Sequence, residues 1–100
     1  MDVTFLSFDG CPNAAIAGQR LAEAFDRLGL DPSVITYATV DTAEEAERLA
    51  FRGSPSILIN GTDPFAEPDS PVGLSCRIYR NDAGTEGAPS VDDLVALLRS

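Results

Sequence analysis

Histidine is absent from the 100-residue sequence. That absence removes an imidazole general base, a Ser-His-Asp arrangement and any zinc site built on His ligands. Catalysis here must rest on thiols, carboxylates, hydroxyls or backbone dipoles. Positive charge is scarce as well: 7 Lys and Arg stand against 16 Asp and Glu, a formal net charge of -9. Such a field repels a phosphate backbone and an anionic bilayer, so neither nucleic acid nor membrane is expected as a partner. No apolar run approaches the ~20 residues that a membrane-spanning helix needs. Met1-Asp2-Val3-Thr4 lacks a basic region before an apolar core; it does not read as a secretory signal, and a cytoplasmic location is expected. Cysteine is limited to Cys11 and Cys76, too far apart to form a Cys-x-x-Cys pair. A structural disulfide is not expected of cytosolic thiols, and neither a resident metal nor a bound cofactor is expected.

What is present suits an ordinary α/β domain. The hydrophobic fraction is 44% and the charged fraction 23%, and the length predicts one domain over 1–100. Val3–Phe8 is a mostly apolar run that ends at Asp9-Gly10 and predicts a buried strand. Ala17, Leu21, Ala24, Phe25 and Leu28 lie at helical spacing, with Pro12 suited to the first turn and Gly29 to the C-terminal cap. Ser33–Val40 is rich in β-branched and aromatic residues and predicts a second strand. Asp41 and Glu44 have capping-box spacing before a second helix, expected from about Thr42 to Phe51 and ended by Gly53. Ser56–Ile59 predicts a third strand, and a turn-rich loop follows from Asn60-Gly61. Leu74–Tyr79 is expected as a fourth strand and Asn81–Gly87 as a polar loop. Ser90 caps a last helix with the stripe Val91, Leu94, Val95 and Leu98. The order β-α-β-α-β-β-α predicts a four-stranded mixed sheet with helices on both faces.

Two short segments carry a resemblance over nearly the whole chain. Cys11-Pro12-Asn13-Ala14 follows strand one, and Ser54-Pro55 precedes strand three. In these positions the chain resembles the thioredoxin-like superfamily, the first segment standing where that family has Cys-x-x-Cys and the second where it has a cis-proline. A narrower likeness rests on Gly10–Ala14, Gly53–Gly61, Asp63-Pro64-Phe65 and Leu74–Arg77. These segments look like those of small actinobacterial thioredoxin-like proteins, some of which carry an alkylmercury-lyase label. The resemblance implies a cis Pro55 whose loop lies against Cys11 and presents the Ser54 backbone to a thiol or disulfide substrate, protein or small molecule. It also exposes a departure: Ala14 occupies the place of the resolving cysteine. Any exchange must then be monothiol, released by an external low-molecular-weight thiol acting as co-substrate or by Cys76.

The residues permit that chemistry and leave alternatives open. Cys11 is expected at the mouth of the first helix, where unpaired N–H groups favour a thiolate. Asn13 is placed to hydrogen-bond the sulfur or cap the turn, whereas Asp9 opposes ionisation if it faces the thiol. Cys76, on an antiparallel fourth strand, is expected opposite Leu58–Ile59, about 10–13 Å from Pro55 at the usual strand rise. A direct bond to Cys11, which needs Cα atoms within about 7 Å, is therefore not expected. Cys76 reads either as a core residue or, delivered by movement of the 60–74 loop, as a resolving thiol or a second ligand for a soft metal such as mercury. Arg77 and Arg80 read as solvated edge charges, or Arg80, expected nearer Pro55, as a contact for the carboxylate of a thiol cofactor. The leading function is monothiol thiol-disulfide exchange by Cys11. The alternatives are a non-catalytic binding module on the same scaffold and a mercury-handling protein using both cysteines.

Overall fold

A computed structural model describes residues 1–67, 71–81 and 84–99. Strand β1 (Val3–Ser7) runs parallel to β2 (Ile35–Thr39), from Val3 against Ile35 to Ser7 against Thr39. On its other side β1 pairs antiparallel with β3 (Ser56–Ile59), Val3 against Ile59 and Leu6 against Ser56. The sheet order is β2-β1-β3. Period-2 alternation sends the two faces of β1 into different cores. Val3 and Phe5 pack with Ile57 against Ala17, Leu21, Ala24 and Phe25 of α1 (Pro12–Leu28) and Leu94 and Leu98 of α3 (Val91–Leu98). Leu6 faces the opposite way and meets Val40, Ala46 of α2 (Ala43–Leu49) and Phe51. Helices thus cover both faces of a small mixed sheet, an α/β arrangement.

Both ends of α1 and the start of α3 follow the predicted signals. Pro12 opens α1, and Gly29 closes it in the left-handed region at φ 65°. Ser90 Oγ accepts from the Asp93 amide at 3.1 Å and starts α3. Elsewhere local competition moved the boundaries. The Asp31 carboxylate accepts from the Ser33 amide at 2.9 Å, folding Pro32–Val34 into a 3-10 turn, so β2 starts at Ile35. That bond also holds the exposed Asp31 carboxyl below its usual range. Thr42 rather than Asp41 caps α2, its Oγ1 accepting from the Glu45 amide at 3.1 Å. The helix stops at Ala50 in the left-handed region (φ 53°), short of Gly53.

The larger difference lies in the second half. Among the described residues Leu74–Tyr79 is not a fourth strand of the sheet. Instead β4 (Tyr79–Asn81) and β5 (Gly84–Glu86) form a separate antiparallel hairpin. The outer edge of β3 is already engaged at both ends. At one end Asn60 and Gly61, both at positive φ, make the two-residue turn that pairs Ile59 with Thr62. At the other, Ser54 pairs with Cys76. Arg20 ties the hairpin to α1: its guanidinium pairs with Glu86 at 2.9 Å and donates to the Pro89 carbonyl at 3.2 Å. The hydrogen bond from Arg20 holds the Glu86 carboxyl below its usual range, with help from Asn81.

Candidate functional site

The C-terminal end of β1 and the N-terminal end of β3 lie side by side, because Leu6 pairs with Ser56. The loop leaving β1 therefore meets the loop entering β3. Cys11 is the N-cap of α1, with φ -72° and ψ 114° and no side-chain capping bond. Its amide donates to the Phe8 carbonyl at 3.3 Å, and its carbonyl accepts from Ala14 at 3.3 Å. The residue is 8% exposed. The Phe8 amide in turn donates to Ser54 Oγ at 3.3 Å. The Ser54–Pro55 peptide is cis, as the resemblance implies, and both residues are fully buried. The reactive-thiol candidate and the proline turn thus share one end of the sheet and are joined through Phe8.

The other expected site residues are placed less uniformly. Pro12 is exposed on the first turn of α1. Asn13 is half-buried, and its side chain lies over the backbone of Gly87, where an added Cβ would collide with its amide. Ser54 does not present a free backbone. Its amide donates to Ser75 O at 2.8 Å, and its carbonyl accepts from Arg77 N at 3.1 Å. Both bonds are to residues 75–77 of the same chain. Cys76 therefore pairs with Ser54 next to Pro55, not opposite Leu58–Ile59, and it is exposed rather than in the core. Both cysteines are free thiols. Among the described residues no group of three or more Cys, Asp or Glu gathers as potential metal ligands.

Of the two arginines, Arg80 is exposed as an edge charge is expected to be, whereas Arg77 is not. Arg77, not Arg80, lies by Pro55, and it is buried. Its guanidinium pairs with Asp63, NH2 reaching Oδ1 at 3.2 Å, with side chains 7% and 9% exposed. It also donates to Ser56 Oγ at 3.0 Å and stacks over the Tyr79 ring at 4.8 Å. The Tyr79 hydroxyl donates to the Pro55 carbonyl, and burial pushes its ionisation well above the usual phenol range. Phe65 meets Tyr79 edge-on with centroids 5.0 Å apart and packs against the main core. Sequence reasoning missed Arg77 and Tyr79 as the supports of the proline turn. The available signal was Asp63, two residues after Asn60-Gly61, a counter-ion for an inward-facing arginine.

Gly53 completes the turn. Its φ is 113°, and a Cβ there would lie 3.0 Å from Ser75 O and 3.1 Å from Arg77 Cβ. Gly53→Ala is expected to cost about 1–3 kcal/mol through backbone strain and that contact. A lower urea midpoint with an unchanged m-value would show it.

A depression of about 420 Å³ opens on the outer side of this region, with Cys76 in its wall. Cys11 does not line it. Compared with known protein families, curated proteins and solved structures, the chain matches none.

Proposed function

We propose that the protein is a thioredoxin-like monothiol exchanger with Cys11 as its nucleophile. The reading is supported above all by Cys11 as N-cap of the 17-residue α1, its loop bonded through Phe8 to the cis-Ser54–Pro55 turn. The first turn of α1 leaves backbone N–H groups without intrahelical partners at the mouth where Cys11 sits. The order β2-β1-β3, with one parallel and one antiparallel pairing at the central strand, supports the thioredoxin-like assignment. In the exchange the Cys11 thiolate attacks one sulfur of a substrate disulfide. The Cys11 mixed disulfide forms, and the other half leaves as a thiolate that takes a proton from solvent. Because position 14 is alanine, a second external thiol attacks the adduct and returns Cys11 to its reduced form.

One observation favours a second reading. Ser54 has both backbone groups paired within the chain, and Cys11 is nearly buried, as suits a non-catalytic binding scaffold. Reduced protein incubated with oxidised glutathione and mapped by mass spectrometry separates the two. Exchange predicts a mixed disulfide at Cys11 in the folded protein, lost in Cys11→Ser. It also predicts that Ala14→Cys releases the adduct without added thiol. Modification of Cys11 only in urea would favour the scaffold.

A further inference from the structure

We infer that the cleft beside Cys76 is a second site, which binds carboxylate-bearing low-molecular-weight disulfides and passes one half to Cys76. Three of the seven cationic residues of this acidic protein, Arg52, Arg77 and Arg80, line one depression of about 420 Å³. Among the described residues Glu67 is the only carboxylate in its wall. Arg77 is neutralised by Asp63, and Arg52 donates to the Glu67 carbonyl at 3.0 Å. Arg80 is exposed on β4 and makes no ion pair among the described residues. On a chain of net charge -9, Arg80 thus offers a carboxylate a local counter-charge in this cleft. Phe65 and Ile78, the latter 71% exposed, add apolar surface for a short alkyl stem. The volume falls within the range of small-ligand pockets.

Cys76 supplies the chemistry. It is an exposed free thiol in the same wall, held in place by the Ser54 bridge and the buried Arg77 that follows it. With the carboxylate at Arg80, a disulfide can lie against Cys76. The thiol loses its proton to solvent, and the thiolate attacks the nearer sulfur. A Cys76 mixed disulfide forms, and the departing anionic thiolate takes a proton from solvent. The disulfide is the only oxidant needed. This site stands apart from the exchange proposed at Cys11, since a different sulfur reacts.

The test compares two disulfides of opposite charge, 3,3′-dithiodipropionate and cystamine, at low ionic strength. Peptide mapping reads Cys76 and Cys11 separately, so failure at one does not mask the other. Rates at Cys76 are divided by those of a short unstructured cysteine peptide, which removes the intrinsic reactivity of each reagent. The dianion should be favoured by about ten-fold despite the net charge of the protein. Arg80→Glu should abolish that preference, whereas Arg99→Glu, an equal charge change outside the cleft, should leave most of it. A preference for the dication in the unaltered protein would overturn the inference. So would an Arg80→Glu effect no larger than that of Arg99→Glu.

Discussion

Arg77→Met is expected to lower the unfolding free energy by about 3–5 kcal/mol, because it leaves the Asp63 carboxylate buried without its cation. Methionine keeps much of the stem volume, so the loss reports charge and hydrogen bonding more than packing. The guanidinium serves Asp63, Ser56 Oγ and the Tyr79 ring together, and no single replacement supplies all three. Against the ~5–15 kcal/mol of a typical domain this is a large share. The double variant Arg77→Met/Asp63→Leu should recover most of the loss, since an apolar pair of similar size can match a buried ion pair. A four-point cycle of urea titrations gives the coupling. Should Arg77→Met change stability by less than about 1 kcal/mol, the pair is not the buried anchor described above. The variant should also speed alkylation of Cys76, because the segment 75–77 then keeps its backbone bonds to Ser54 but loses the guanidinium anchor to Ser56 and Asp63.

Phe51→Ala should be comparably severe, about 3–5 kcal/mol. Phe51 is 1% exposed and fills the smaller core with Leu6, Val40 and Ala46. Helix α2 has seven residues, too few to persist without docking. The same residue spans two segments: its amide donates to the Ala46 carbonyl at 2.8 Å, and its carbonyl accepts from Gly73 at 3.0 Å. Hydrogen exchange should therefore speed first in α2, while α1 and α3, packed on the other face, stay protected. Uniform acceleration in all three helices would argue against separate cores.

How far the sequence could be read depended on the range of the deciding interaction. The limits of α1 and the start of α3 come from residues within one helical turn, Pro12, Gly29 and Ser90, and they are legible. The placement of Cys11 at a helix mouth follows from the same signals. The fate of 74–79 was set from a distance, by the Asn60-Gly61 turn and by Asp63. An alternating pattern does not reveal that an arginine will turn inward, because its counter-ion lies 14 positions away. Once Arg77 is buried, Cys76 faces outward and Ser54 gains its partners. The single error of taking Arg77 as a surface charge thus displaced Cys76, Arg80 and the fourth strand together.

The occupied margin of β3 has a consequence for self-association. Chains that stack strand on strand need a template on each side, one to accept and one to offer. Here β2, the uncharged run Ile35-Thr36-Tyr37-Ala38-Thr39, is the outer strand of the three-stranded sheet opposite the engaged β3. Two molecules meeting through it would use up both margins, so growth by this route closes at a pair rather than running on into a fibre.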